Sequence, residues 1–289
     1  MSMVLKVYGL DFTSAPSVAK PITCASAYLD GVCLNVEYVE RFCSFADFEL
    51  FLQRPGPWWA GFDFPFGQPR RLLAEQGRGH EDWMTFVRWV SQLDAHGFAA
   101  WLTKYRTQRS YGDRHHMRET DRLARSCSPM MLYGVPVAKM FFGGVPRLLQ
   151  AGVSALPMNP QADARVAVEA YPKLVAQRYA AGGKYKADER RRQTAEHKVT
   201  RIRILDNLQT RITLDYGLQL QLSQAARTLA EADPTGDALD AVLCVVQAAW
   251  SARCKKPPHG IPGDCDVFEG WIVDPQILLA RQDPAKGRH

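Results

Sequence analysis

Five acidic residues stand at the ends of apolar segments or within them. Asp11 ends the first such segment (VYGLDFT), Asp63 ends a later one (AGFDFPFG) and Glu169 lies in a third (AVEAYP). Asp237 and Asp240 open a long apolar helical pattern, DALDAVLCVVQAAW. A carboxylate in an apolar segment is costly to bury unless it is paired or binds a cation, so each of the five is a candidate metal ligand. Four of them are also candidate catalytic residues: Asp11, Asp63, Glu169 and Asp240.

Taken singly, each acid has an ordinary structural explanation, because acids often cap helices, close loops or pair with arginine. The set is a stronger indication, since the strands of an α/β sheet bring their C-terminal ends to one edge. Asp237 and Asp240 are three residues apart, so both can face one ion site, although acids in a first turn also complement the helix dipole. An all-carboxylate shell suits Mg²⁺ or Mn²⁺, whereas zinc calls for histidine or cysteine ligands in a motif that the sequence lacks.

The chemistry that such a cluster supports is phosphodiester hydrolysis. Two divalent ions about 4 Å apart can activate a water molecule and stabilise the leaving oxygen. Motifs of several other enzyme classes are missing, since the chain has no GxxxxGK[ST], no GxGxxG after a strand, no HExxH and no GxSxG. Walker-type nucleotide hydrolases, Rossmann dehydrogenases, zincins and common serine hydrolases are therefore disfavoured.

The elements that must position these acids follow from the apolar pattern. Strands are predicted over residues 4–12, 22–29, 32–39, 58–64, 164–171 and 268–273. A hairpin turn is predicted at Asp30-Gly31, and Ser44 is expected to cap the first helix, so the chain begins β-β-β-α-β. Helical patterns predict an insertion over about residues 70–160, a helix opened by Pro172, further helix over 185–230, and a last strong helix from Asp233-Pro234 to about Cys254.

The composition indicates a globular chain. With 289 residues, of which 46% are hydrophobic, the chain can bury a sizeable core, and disordered and fibrous classes are excluded. No apolar run reaches the roughly 18 residues of a membrane span, and no basic leader precedes an apolar stretch. The seven cysteines form no CxxC pair and are expected to be reduced core thiols. We therefore expect a soluble, cytoplasmic protein with one domain over residues 1–289 and no membrane partner.

The net charge of +6 is concentrated in two zones. Residues 101–127 carry a net charge of +4 and residues 184–203 one of +5, so the rest of the chain is slightly acidic. Such zones suit a polyanion such as nucleic acid, although each alone is more often a solvated helix face. Arg118 and Arg122, four residues apart, are predicted to contact phosphate, and Lys20 is a candidate to approach the acids. His115 and Glu119 have the spacing of half a metal site, but a solvated loop is favoured there.

The combined set of motifs resembles a known family. The segments GLDFT, FDFPFG, VEAYP, DALDAVLCVVQAAW and EGWIVDP, in this order from Gly9 to Pro275, are similar to those of the DUF429 family of predicted nucleases, within the RNase H-like superfamily. The resemblance implies that Asp11 is the central metal-bridging carboxylate and that Asp237 and Asp240 match the paired helix acids of the Holliday-junction resolvase branch. It leaves open whether Asp63 or Glu169 supplies the acid from a neighbouring strand.

The sequence thus predicts an α/β protein with an RNase H-like mixed sheet, flanking helices and a helical insertion, acting as a metal-dependent nuclease on DNA or RNA. Two alternatives remain. One is a non-catalytic nucleic-acid-binding or scaffold protein that keeps the fold. The other is a phosphotransferase of the actin-like or sugar-kinase type, which shares the strand order but needs a glycine in the phosphate turn, and DFTSAPSVAKPI has none.

Overall fold

The computed structural model describes residues 4–187 and 189–282. In these ranges the chain is an α/β protein with one mixed sheet. Its seven strands are β1 (Leu5–Asp11), β2 (Ile22–Asp30), β3 (Cys33–Phe42), β4 (Trp58–Phe62), β5 (Ser154–Ala155), β6 (Arg165–Glu169) and β7 (Gln219–Leu222). The strand order is β5-β6-β4-β1-β2-β3-β7. Strands β1, β2 and β3 are antiparallel neighbours, and the remaining pairs, β1 with β4, β4 with β6, β5 with β6 and β3 with β7, are parallel.

Helices cover both faces of the sheet. The described helices are α1 (Phe45–Leu52), α2 (Arg70–Glu75), α3 (Trp83–Ser91), α4 (Ala95–Thr107), α5 (Glu119–Ala124), α6 (Val137–Ala151), α7 (Pro172–Tyr179), α8 (Ala195–Tyr216), α9 (Gln224–Ala232), α10 (Asp237–Arg253) and α11 (Pro275–Gln282). One apolar core lies between the sheet and helices α7 to α10, and a second, rich in phenylalanine, lies between the sheet and helices α1, α3, α4 and α6. No helix of the described ranges is both long enough and apolar enough to cross a membrane.

The central strand shows why the sequence forms this arrangement. In β1, Val7 faces the core beneath α10, while Tyr8 and Leu10 face the phenylalanine-rich core. Both faces of the strand are thus buried, as a continuous apolar run predicts. The predicted caps are also present: Ser44 accepts a hydrogen bond from the Asp47 amide at 3.1 Å, and Pro172 is the first residue of α7.

Five of the six predicted strands are confirmed within a few residues, and the sixth is wrong. Residues 268–273 form an irregular segment in which Ile272 alone bridges Glu169. This segment is apolar because it is buried, and its backbone is held by loop contacts rather than by a strand ladder. Two short strands, β5 and β7, were not predicted.

Two predicted boundaries need correction. The hairpin turn consists of Gly31 and Val32, one residue later than predicted, because Asp30 pairs with Cys33. Helix α10 begins at Asp237 instead of at residues 233–234. Asp233 lies in the preceding turn, and its side chain accepts a hydrogen bond from the Ala238 amide at 3.0 Å. The region 185–230 is also not continuously helical, since β7 separates α8 from α9.

Candidate functional site

The C-terminal ends of two neighbouring strands carry the first two acids. Strands β1 and β4 are parallel, with Leu10 paired to Phe62, so Asp11 and Asp63 follow at the same level of the sheet. The Asp63 amide donates a hydrogen bond to the Leu10 carbonyl at 3.0 Å, which continues the ladder to the end of both strands. Both residues are partly buried.

Helix α10 brings the other two acids to the same edge. It crosses β1 and β4 at Gly9 and Gly61, where a Cβ atom would lie 2.2 Å from the Val245 amide nitrogen and 2.6 Å from the Cys244 carbonyl oxygen. Only glycine permits this close approach of helix to strand. Because the first turn of the helix lies beyond the crossing, it points towards the ends of the strands.

The four aspartates form what we call the carboxylate cluster: Asp11, Asp63, Asp237 and Asp240. Burial raises the pKa of Asp11 well above its ordinary value, and the charges of the other three add to this, while Lys186 opposes it. Burial and the charge of Asp240 raise the pKa of Asp63 to about 7. The pKa of Asp237 is also raised, mainly by burial. The cluster therefore holds like charges close together, which is the arrangement that a bound cation relieves.

Asp240 is the buried member of the cluster, with 1% of its surface exposed. One carboxylate oxygen accepts a hydrogen bond from the Tyr185 hydroxyl at 2.8 Å, and the other forms an ion pair with the Lys186 ammonium. Asp237 is partly exposed and lies one turn earlier in the helix. Asp240 is thus fixed in place, whereas the other three aspartates are only partly buried.

Lys186 is the counter-ion of the cluster and was not among the predicted site residues. Burial would lower its pKa, but the nearby charges of Asp240 and then of Tyr185 and Asp11 raise it above its ordinary value. Its stem packs against Gly236, where a Cβ atom would lie 2.8 Å from the Lys186 Cβ. The only sequence signal for Lys186 was its place in the basic zone 184–203, which does not distinguish it from its neighbours.

Glu169 lies at the end of β6, but its carboxylate is already paired with an arginine. Its carboxylate forms a two-bond ion pair with Arg118 at 2.5 and 2.8 Å and accepts the Phe66 amide at 3.0 Å. Its charge still contributes to the raised pKa of Asp63, so it lies near the cluster. Of the two alternatives for the acid beside Asp11, the geometry therefore favours Asp63.

Arg118 does not reach the surface. It is 1% exposed, and its guanidinium also pairs with Asp121 at 2.7 and 2.8 Å. Arg118 therefore does not make the predicted phosphate contact. It serves as an internal counter-ion, because a charge buried in the protein must be paired. Arg122 is exposed and donates to the Met117 carbonyl at 2.7 Å. The two arginines thus do not form one surface.

Three predicted residues remain: Lys20, His115 and Glu119. Lys20 is exposed in the connection that follows β1, and its amide donates to the Ser17 hydroxyl at 3.1 Å. His115 lies in a loop, as predicted, and Glu119 begins α5 and pairs with Arg281 at 2.8 Å. His115 and Glu119 therefore do not share a helix.

The donor set of the carboxylate cluster suits a hard divalent cation. Within residues 4–187 and 189–282, no three acidic, histidine or cysteine side chains are placed so that they could hold a metal ion together. The chemistry of the ligands nevertheless fits, because all four are carboxylates, and Asp240 already binds a cation in the form of the Lys186 ammonium. A metal ion would thus replace the positive charge that Lys186 supplies to Asp240.

Comparison with known proteins identified one family. A family model described as a protein of unknown function, DUF429, matches residues 24–259. The matched range includes Asp63, Lys186 and both acids of α10, and it begins after Asp11. No curated protein and no solved structure matches the chain.

Proposed function

The chain belongs to the DUF429 family of proteins of unknown function, and we propose that it is a metal-dependent hydrolase of phosphodiester bonds in nucleic acid. The observation that carries this proposal is the meeting of four carboxylates from β1, β4 and α10 at one sheet edge, with raised pKa values in three of them. The β-β-β-α-β start supports our further proposal that the sheet is RNase H-like.

The metal would be Mg²⁺ or Mn²⁺, with Asp11, Asp63 and Asp240 as ligands and Asp237 as an additional one. In their metal-free positions no three of the described acidic side chains could hold one ion together, so binding requires that Lys186 leave Asp240 and that the carboxylates turn towards one another. When bound, such ions supply an activated water molecule and stabilise the leaving oxygen. The chain's own residues orient this site. Tyr185 fixes one oxygen of Asp240 at 2.8 Å, and the glycine crossing of α10 on β1 holds the helix acids beside the strand acids.

Lys186 has a separate role in this proposal. Its ammonium neutralises the charge of Asp240 in the metal-free protein, which reduces the repulsion among the four carboxylates. Its side chain is 35% exposed, so it can leave Asp240 without first breaking the core. We propose that it moves to a phosphate oxygen of the substrate when a metal ion takes over its place.

Hydrolysis assays test the proposal directly. Single-stranded and duplex DNA, a four-way junction and single-stranded RNA are incubated with the protein in Mg²⁺, Mn²⁺ or EDTA. We expect cleavage of at least one substrate that requires the metal, that Asp11→Asn and Asp63→Asn abolish, and that Asp30→Asn leaves unchanged. Asp30 is a matched control because it is an exposed strand-end aspartate on the opposite end of β2. Cleavage that persists in Asp11→Asn would contradict the proposal.

A second function is supported by the same contacts of Asp240. Both of its oxygens are already engaged by Tyr185 and Lys186, which suits a nucleic-acid-binding protein that needs no metal. Such a protein binds nucleic acid equally in EDTA and in Mn²⁺ and hydrolyses none of the substrates. The phosphotransferase alternative has weaker support, because the connection from β1 to β2 contains no glycine. ATP turnover without nuclease activity would favour it.

A further inference from the structure

A cavity with a basic lining lies next to the carboxylate cluster. Its volume is about 340 Å³, at the lower end of the range for small-molecule sites. We call it the cationic cavity, and it is lined by Lys184, Lys186, Ala187, Glu189, Arg192 and His197. Lys186 belongs to both places, since it lines the cavity and pairs with Asp240. A ligand in the cavity would therefore lie directly beside the carboxylate cluster.

The charges of the lining favour an anion. Three cationic side chains and one carboxylate give the lining a formal charge of +2 with His197 neutral. Glu189 pairs with Arg191 at 2.7 Å and with Arg192 at 3.3 Å, so it neutralises only one of these two arginines, and Asp240 neutralises Lys186. With Arg191 and Asp240 included, the net charge around the cavity stays at +2. Lys184 is exposed and forms no ion pair or hydrogen bond with the residues that the structure describes. Its charge is thus available to a ligand.

The wall of the cavity is fixed by buried contacts. Arg201, 2% exposed, donates to the Tyr185 carbonyl at 2.7 Å, and the Gln193 side chain donates to the Ala187 carbonyl at 3.0 Å. These bonds hold the backbone on both sides of Lys186 without any ligand. His197 adds a further feature, because its Nδ1 atom is buried with no hydrogen-bond partner among the described residues. A buried polar atom without a partner is costly, and a ligand oxygen can accept a hydrogen bond from this nitrogen when it carries the proton.

We infer that the cationic cavity binds a terminal phosphate of the substrate, that is, a phosphate monoester at the end of a nucleotide or oligonucleotide. A monoester carries a charge of about −1.5 to −2 at neutral pH and has three acceptor oxygens, which matches the formal charge and the donors of the lining. A diester within a chain carries one charge and two free oxygens, so it matches less well. The inference rests on the proposed function only in making this phosphate part of a substrate for the carboxylate cluster.

Binding in EDTA tests the cavity separately from hydrolysis. Fluorescence anisotropy is measured with a dye-labelled tetranucleotide carrying a 5′-phosphate, a 3′-phosphate or no terminal phosphate, and inorganic phosphate is added as competitor. We expect one phosphorylated form to bind about tenfold or more tightly than the unphosphorylated one, because each charge-assisted hydrogen bond contributes on the order of a tenfold change. Inorganic phosphate should displace it.

Single substitutions locate the site. Lys184→Gln and Arg192→Gln should each weaken the phosphorylated form about tenfold and leave the unphosphorylated form unchanged. Lys198→Gln is the matched control, since it removes the same charge from the same basic zone outside the cavity lining. These exposed side chains are not in the core, and circular dichroism checks that each variant is folded. Equal binding of phosphorylated and unphosphorylated forms, or an equal loss in Lys198→Gln, would overturn the inference.

The same variants separate this inference from the proposed function. If the cavity discriminates as expected but no metal-dependent hydrolysis occurs, the cavity assignment holds and the proposed function fails. If hydrolysis occurs but the phosphorylated and unphosphorylated forms bind equally in EDTA, the proposed function holds and the cavity assignment fails.

Discussion

The pKa of Asp63 leads to a prediction about stability that has an unusual sign. Replacing Asp63 with asparagine should stabilise the metal-free protein above neutral pH. Burial and the charge of Asp240 raise the Asp63 pKa from 3.8 to about 7. The folded state therefore holds this proton more tightly than the unfolded state does, and the stability that the proton confers is lost as the pH rises from 3.8 through 7.

The size of the effect follows from the shift. About three pKa units, at about 1.4 kcal/mol each, set an upper limit near 4 kcal/mol. Because the Asp63 side chain keeps part of its surface in water, we expect the gain in the free energy of unfolding for Asp63→Asn to be about 1–3 kcal/mol at pH 8.5. Below about pH 4 the carboxyl is protonated in both the folded and the unfolded state, so asparagine should give little or no gain. At pH 5 the unfolded state is already ionised, and the gain should be less than half of that at pH 8.5.

Urea unfolding in EDTA at pH 5 and at pH 8.5 measures this difference. Asp30→Asn serves as control, because Asp30 is exposed and lies outside the carboxylate cluster. A destabilised Asp63→Asn protein at pH 8.5, or a gain of equal size at both pH values, would refute the electrostatic reasoning. The first result would mean that Asp63 is a structural hydrogen-bond acceptor, and the second that the carboxylate charge is not the source of the gain.

Three further predictions concern the parts that build the site. Asp11→Asn should raise the melting temperature in EDTA, because burial and the neighbouring carboxylates also raise the pKa of Asp11. The same change should abolish stabilisation by Mn²⁺, and thermal melts with and without Mn²⁺ check both effects. Arg118→Gln should cost about 3–5 kcal/mol in urea unfolding, since it leaves Glu169 and Asp121 buried without their counter-ion, and a loss below about 1 kcal/mol would show that the pair is not needed. Gly9→Ala should destabilise the protein by more than about 2 kcal/mol, because the added Cβ would collide with the backbone of α10. It should also weaken Mn²⁺ binding, measured by calorimetry, and unchanged stability would disprove the close crossing.

The sequence was sufficient to predict five of the seven described strands and the acids that follow or end them. Asp11 and Asp63 follow apolar runs, and an apolar run reports burial directly, so the end of the run marks the end of the strand. Asp237 and Asp240 were found because they open a long apolar helical pattern, the one that forms α10. The meeting of strand ends and helix start at one edge then follows from the α/β arrangement.

The parts of the site that were missed depend on partners that the pattern does not show. Lys186 and Tyr185 lie in a segment without regular structure, where neither period nor composition reveals what the side chains contact. Arg118 belongs to a basic zone that suggested a solvated surface. It is buried, however, because it pairs with Asp121, three residues later, and with Glu169, which is distant in sequence. The segment 268–273 was mistaken for a strand for a related reason, since burial alone does not determine how a backbone is hydrogen bonded.

The measurement that tests the central claim most directly is an anomalous difference map from crystals grown with Mn²⁺. We predict a peak at the carboxylate cluster, within coordination distance of Asp11 and of at least one of Asp63 and Asp240, with the Lys186 ammonium displaced from Asp240. A map at millimolar Mn²⁺ without a peak there, and with Lys186 still paired to Asp240, would contradict the assignment of this cluster as a metal site.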